Sequence, residues 1–201
     1  MSDAPPHIAA SSAASAWAGK KVLVGLSGGI ACYKTPSLVS ALVQQGAIVR
    51  VLMTDAATKF ITPLTLQALS GNTVLTSIWQ SDDRPDSQHI GLARWCDLVI
   101  IAPTTADLIA KLAAGICDDI LSLTICALPR SPKATPVLLA PAMNAQMWEN
   151  PITQRNLHTL QTVSGYHCVG PETGWQACRT AGAGRMSEPQ EILVAAQKLL
   201  G

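Results

Sequence analysis

The sequence predicts a doubly wound α/β domain, Rossmann-like or flavodoxin-like, with a parallel sheet between two helical layers. Two observations point there. Short runs of Val, Ile and Leu alternate with segments of helical character, and these runs are apolar throughout. Such strands are buried on both faces, as happens when helical crossovers join parallel strands. The composition agrees. Of 201 residues, 48% are hydrophobic and only 13% charged, so little of the chain is suited to charged surface.

Residues 1–19, rich in Ala, Ser and Pro, have no basic segment leading into an apolar core. They read as a disordered tail and not as a signal peptide. Residues 20–201 read as a single domain without internal repeats. Lys21–Leu26 is a strand that ends in the glycine turn Ser27-Gly28-Gly29. A helix follows over residues 30–45, stopped by Gly46. Ile48–Met53 is the second strand, after which Thr54-Asp55 caps a short helix. Thr62-Pro63 opens another helix, closed by Ser70-Gly71. Residues 73–79 are expected as a third strand and residues 81–88 as a polar loop.

An apolar strand spans residues 97–102, with Pro103 at the start of a helix that runs to about Ala114. Asp118-Asp119 begins the next helix, where acids are favoured. Residues 137–140 form a strand, Asn150-Pro151 reads as an N-cap with proline at N1, and residues 166–169 form a last short strand. Residues 187–190 fit a capping box for the C-terminal helix.

A net charge of +1 gives no electrostatic reason to expect a nucleic acid partner. No run is long and apolar enough to span a membrane. The six cysteines contain no C-x-x-C pair, so neither a disulfide scaffold nor a metal site is expected. Their number suits small core thiols in a reducing, cytoplasmic compartment.

Ligands of parallel sheets sit beyond the C-terminal strand ends. Gly25-Leu26-Ser27-Gly28-Gly29 matches the nucleophile elbow G-x-S-x-G, but it follows the first strand, where hydrolases do not place it. Lys34-Thr35 suggests a P-loop, which fails because Ile30 stands where the second glycine belongs. What remains is a glycine turn opening a helix. It suits an anion or is a ligand-free tight turn, and the residues alone leave both open.

Two later segments are more specific. Pro141-Ala142-Met143-Asn144-Ala145-Gln146-Met147-Trp148 reads P-x-M-N-x-x-M-W, and Ala177-Cys178-Arg179-Thr180-Ala181-Gly182-Ala183-Gly184-Arg185-Met186 lies downstream. Together they resemble the signature of the flavin-dependent homo-oligomeric cysteine decarboxylases, over roughly residues 20–195. The closest likeness is to members acting on 4′-phosphopantothenoylcysteine.

The resemblance implies FMN as cofactor, bound by Ser27, Gly28, Gly29 and Ile30, with Thr54 at the phosphate. It adds Ala102, Pro103, Thr104 and Asp107, which are similar to the family's A-P-x-x-A-N segment. Asp107 departs from the asparagine there. It either rearranges a flavin hydrogen bond or is an ordinary first-turn acid. His89, in a segment resembling H-I-x-L, is implied as an active-site histidine near a subunit interface of a homotrimer or a multiple of trimers. Asn144, with Met147, is implied to hold the substrate carboxylate, and Cys178 to give the last proton.

Ala177 and Arg179 join the substrate site on a glycine-rich lid. Arg179 replaces a family glycine that can serve a positive φ. It is open whether the arginine alters lid geometry, meets the substrate phosphate or depresses the thiol pKa. The implied chemistry is oxidation of the cysteinyl side chain to a thioaldehyde, loss of CO₂, and reduction to 4′-phosphopantetheine in coenzyme A synthesis, with a separate ligase possible as supplier of the substrate. The alternatives are a peptidyl-cysteine decarboxylase, which lacks the donor cysteine, and a non-catalytic FMN-binding regulatory subunit.

Overall fold

A computed structural model, which describes residues 15–80, 88–131 and 134–200, pairs the apolar runs into a five-stranded parallel sheet. The strands are β1 (Lys21–Leu26), β2 (Ile48–Met53), β3 (Leu98–Thr104), β4 (Val137–Pro141) and β5 (His167–Cys168), in the order β2-β1-β3-β4-β5. Helices α1 (Thr35–Gln44), α2 (Asp55–Thr58), α3 (Pro63–Ser70), α4 (Gln88–Trp95), α5 (Ala106–Ala114), α6 (Ile120–Cys126), α7 (Ala145–Glu149), α8 (Pro151–Thr162) and α9 (Pro189–Gln197) connect and cover them. A separate antiparallel hairpin joins β6 (Glu172–Trp175) to β7 (Ala181–Arg185).

The pleat divides each strand between two cores. Leu98, Ile100 and Ala102 of β3 pack with Leu38 and Leu42 of α1, Leu66 of α3 and Ile192 of α9. Val99 and Ile101 face the opposite way, against Leu108 of α5, Leu121 of α6 and Leu157 of α8. Each fully buried Leu or Ile is worth about 1.5–3 kcal/mol relative to exposure, which is why both faces of these strands are apolar. The chain leaves β1 for β2 on one side and pairs β1 with β3 on the other. Such a switch point opens a crevice at the strands' C-terminal ends.

Several expectations need correction. The helix expected over residues 30–45 is a 3₁₀ turn, Ile30–Lys34, followed by α1. Pro36 has no N–H to give the preceding turn, so that turn tightens. Residues 73–79 pair with the sheet only at Leu75, which bridges to Leu52. Gln80 Oε1 accepts from Thr76 N–H and its Nε2 donates to Val74 O, so a side chain takes the groups a strand would offer. Pro103 lies within β3 and not at a helix start. Thr104 Oγ1 donates to Ile101 O, the register shifts between Ile101 and Thr104, and Thr105 caps α5 through Leu108 N–H. At α9 the N-cap is Glu188, whose N–H donates to Glu191 Oε2, while Ser187 Oγ donates to Glu172.

Order also begins before residue 20. Ala18 N–H donates to Ser15 O in a turn that buries Trp17 completely beside α1 and β2. Burying one indole removes about 150–250 Å² from water, enough to order a short turn. Residues 1–14 and most of the polar loop, residues 81–87, lie outside the described residues.

Candidate active site

A cavity of about 990 Å³ opens at the switch point, at the upper end of the range for small-molecule sites. Its floor is made by the turns after β1 and β2. A Cβ on Gly28 would lie 2.4 Å from Ala56 Cβ and 2.8 Å from its carbonyl carbon, so only glycine lets these turns meet. The contact brings two helix starts together, one N-capped by Gly29 and the other by Thr54, whose Oγ1 accepts from Ala57 N–H. Their first N–H groups and dipoles make this end of the cavity receptive to an anion.

Ser27 is a brace. Its hydroxyl donates to Pro103 O at 2.9 Å and accepts from Thr105 N–H at 2.8 Å, fastening the β1 turn to the β3 turn. With both roles spent on backbone, this hydroxyl is not the nucleophile of a hydrolase elbow. Lys34, the P-loop decoy, is buried, and its Nζ donates to Met186 O at 3.0 Å and Glu188 Oε1 at 2.7 Å. That contact ties the β1 turn to the chain leaving the hairpin. It also holds the Glu188 carboxyl below its ordinary pKa, through the Lys34 hydrogen bond.

Thr105, Ala106 and Asp107 line the next wall with Lys111 and Asp119. Lys111 Nζ lies 3.1 Å from Asp118, 3.6 Å from Asp119 and 3.7 Å from Asp107. Desolvation pulls its pKa down, but the Asp118 hydrogen bond and the three acidic charges raise it overall. Asp107 is therefore a first-turn acid paired one turn along α5, at the cavity's edge.

The opposite wall joins the two specific sequence segments. Asn144 caps α7, its Oδ1 accepting from Gln146 N–H at 2.8 Å. With the oxygen turned into the helix, the amide NH₂ is presented outward and donates to Cys178 Sγ at 3.1 Å. Thr180 Oγ1 lies 3.0 Å from the same sulfur. The Thr180 hydrogen bond, and next the one from Asn144, lower the thiol pKa. Arg179 is not among the causes. It instead adopts φ +62°, a left-handed conformation that a glycine would take without strain.

The expected lid is thus a formed hairpin, docked by close backbone approach. Met143 N–H donates to Gly184 O at 2.9 Å, and a Cβ on Gly184 would stand 2.2 Å from Met143 O.

Of the residues expected at the site, Ser27, Gly28, Gly29, Ile30, Thr54, Asp107, Asn144, Met147, Ala177, Cys178 and Arg179 line one cavity. Ala102, Pro103 and Thr104 do not. They are buried in β3, where Ala102 O accepts from Thr35 Oγ1 and Pro103 O from Ser27. Their place is taken by Thr105 and Ala106. His89 is half-buried on α4 and is also not among this cavity's lining residues. Lys34, Lys111, Asp119 and Gln176 also line the cavity, although none is marked as a site residue by the sequence. Lys34 carried a signal as a lysine placed just after a glycine turn, and Asp119 one as an acid at a helix start, while Lys111 and Gln176 carried none.

The Flavoprotein family matches residues 10–201. The chain belongs to that family. It is 51% identical to the coenzyme A biosynthesis bifunctional protein CoaBC of Haemophilus influenzae, over 88% of this chain and 43% of that protein. It therefore spans less than half the length of the curated relatives it matches. Among solved structures it is similar to a cysteine-to-serine mutant of PPC decarboxylase complexed with pantothenoylaminoethenethiol. The TM-score is 0.77 with 32% identity, covering 90% of this chain and 97% of that one. The FMN-dependent cysteine decarboxylase SpaF gives a TM-score of 0.77 at 28% identity, over 92% and 98% of the two chains.

Proposed function

We propose that the protein binds FMN and decarboxylates 4′-phosphopantothenoylcysteine to 4′-phosphopantetheine, a step of coenzyme A biosynthesis. The observation that carries this function is the Asn144 amide, fixed by its capping role so that its NH₂ meets Cys178 Sγ at 3.1 Å over the cavity. The kinship with coenzyme A biosynthesis proteins and with a PPC decarboxylase supports the same substrate. The paired helix starts at Gly29 and Thr54 fit a flavin phosphate, and the apolar rim of Ile30, Tyr33 and Met147 fits a ring system.

When bound, FMN supplies the two-electron acceptor and the returning hydride. The chain's residues do the rest. Asn144 holds the substrate carboxylate by its N–H donors, with Met147 and Ala177 beside it. Arg179 lines the mouth of the cavity beside them. Cys178 gives its proton to the carbon that has lost CO₂. The Thr180 and Asn144 bonds that lower its pKa make it a stronger acid than an ordinary thiol.

Assembly as a homotrimer, or a multiple of trimers, belongs to the same proposal. Exposed Ile30 and Tyr33 at the cavity rim suit a subunit contact, and His89, away from its own chain's cavity, is offered to a neighbouring copy. Six free cysteines suit the reducing cytoplasm. A ligase, fused or separate, supplies the substrate.

The test is to incubate the purified protein with phosphopantothenoylcysteine and, separately, with a peptide ending in cysteine, and to weigh the products. Loss of CO₂ from the small substrate alone is expected. Turnover of the peptide alone assigns the chain to peptidyl-cysteine decarboxylation, and turnover of neither leaves a flavin-binding regulatory subunit.

A further inference from the structure

Gln176 is the buried side chain of an otherwise exposed hairpin turn, only 7% accessible between Trp175 and Ala177. Its amide is saturated. Oε1 accepts from Ala145 N–H at 3.1 Å and lies 3.5 Å from Cys178 Sγ, within reach of the thiol proton. Nε2 donates to Ala183 O at 3.0 Å and Gly182 O at 3.3 Å. Both lone-pair directions and both hydrogens of the amide are thereby used. The backbone repeats the theme: Gln176 N–H donates to Thr180 O, and Arg179 N–H donates to Gln176 O, both at 2.9 Å. This closes the turn that carries Cys178.

These bonds reach three parts of the site at once. Ala145 is the first residue of the helix that Asn144 caps, Gly182 and Ala183 belong to β7, and Cys178 lies at the tip between them. We propose that Gln176 is a positioning residue that sets the Cys178 thiol in register with the Asn144 amide. An amide suits the task because its two ends differ. The oxygen serves donors on α7 and the thiol, while the nitrogen serves carbonyls on β7. A carboxylate would turn an acceptor toward those carbonyls, and an apolar side chain would leave the Ala145 N–H without its partner.

This role rests on the decarboxylation proposed above only in its catalytic consequence, and the experiment separates the two. Gln176→Met, of similar volume, and Gln176→Ala are compared with the parent chain in two measurements. The first is the rate at which iodoacetamide labels Cys178 at neutral pH, read by peptide mass. Detaching the hairpin from α7 removes the 3.1 Å Asn144 bond to sulfur, which outweighs loss of the long 3.5 Å contact from the thiol to Gln176 Oε1, and leaves the local Thr180 bond. The thiolate fraction is then expected to fall about threefold or more. The second is the partition of product formed from phosphopantothenoylcysteine. A misplaced thiol delays the last protonation, so a product two hydrogens lighter than 4′-phosphopantetheine rises at the expense of the full product. A merely structural role for Gln176 lowers both products together.

Slower labelling with a shifted partition supports the proposal. Slower labelling in a protein whose parent chain decarboxylates neither substrate keeps the positioning role and removes the decarboxylase reading. Parental labelling, or a uniform fall of both products with labelling unchanged, overturns the proposal.

Discussion

Gly184→Ala isolates the docking of the hairpin from the rest of the fold. Gly184 sits at φ +141°, and an added Cβ would stand 2.2 Å from Met143 O and 2.8 Å from Gln176 Nε2. The nearer atom is backbone, so no rotamer change relieves the overlap. Backbone strain in this φ region costs roughly 1–3 kcal/mol. Losing the Met143–Gly184 hydrogen bond adds about 1 kcal/mol. The total, about 2–4 kcal/mol, is comparable to the two contacts that remain to hold the hairpin, Ala145 N–H to Gln176 Oε1 and Asn144 Nδ2 to Cys178 Sγ, each near 1 kcal/mol net. The variant hairpin therefore spends much of its time undocked. The five-stranded sheet shares none of these contacts, and the Gly28–Ala56 junction that frames the anion-binding end is untouched.

Hydrogen exchange at the Met143 amide reads the opening directly. Its protection is expected to fall on the order of 10²-fold, at about 1.4 kcal/mol per decade. Turnover is expected to fall with it, while FMN stays bound and the melting of the sheet changes little. Parental protection together with parental turnover would refute the reasoning, since the overlap would then have been absorbed without undocking.

Three further outcomes are expected. Arg179→Gly relieves the φ +62° strain by about 1 kcal/mol, offset in part by the freer unfolded chain, so hairpin exchange slows modestly and turnover stays near parental. A large loss of turnover would instead give the arginine a role at the substrate. Asn144→Asp keeps the helix cap, because aspartate caps as well as asparagine. It sets a carboxylate against the substrate's own, a repulsion on the order of several kcal/mol for charges in contact near a protein surface, so turnover is lost while FMN is retained. Near-normal turnover there would leave Asn144 only its capping role. Glu188→Gln tests the Lys34 contact through pH. The Glu188 pKa is depressed from 4.5 when folded, with Lys34 and Arg185 as the facing cations. Its contribution is complete above 4.5 and disappears as pH falls through the lower folded value. The melting-point gap between parent and variant should narrow on acidification, and a constant gap would exclude the ion pair as its cause.

The sheet was legible because its central strands obey one rule over most of their length. Residues such as Val99, Ile100 and Ile101 are apolar on both faces, and the caps Thr54, Asp119 and Asn150 lie where local chemistry alone puts them. Where a side chain far along the sequence intervened, the local reading failed. Pro103 looks like a helix start until Ser27, whose hydroxyl donates to its carbonyl, fastens it to β1. Residues 73–79 look like a strand until Gln80 takes up their backbone groups.

The candidate site divides the same way. Asn144 and Cys178 were visible as motif residues, but their 3.1 Å contact depends on a hairpin that the glycines only hinted at. Gln176 gave no signal, since a single glutamine beside a tryptophan resembles a surface residue. Its burial exists only once Gly182 and Gly184 let β7 approach α7.

The proposed function rests on one role of Cys178, delivery of the final proton in an FMN-dependent decarboxylation of 4′-phosphopantothenoylcysteine. Its most direct test is Cys178→Ser, mixed anaerobically with that substrate while the flavin absorbance is followed and the product is weighed. A serine hydroxyl is a far weaker acid than a thiol, so only the last step should stall. Release of CO₂, a flavin that stays reduced, and a product two hydrogens lighter than 4′-phosphopantetheine are expected. An undiminished yield of 4′-phosphopantetheine with reoxidised flavin would contradict that role, and would leave Cys178 a structural part of the hairpin.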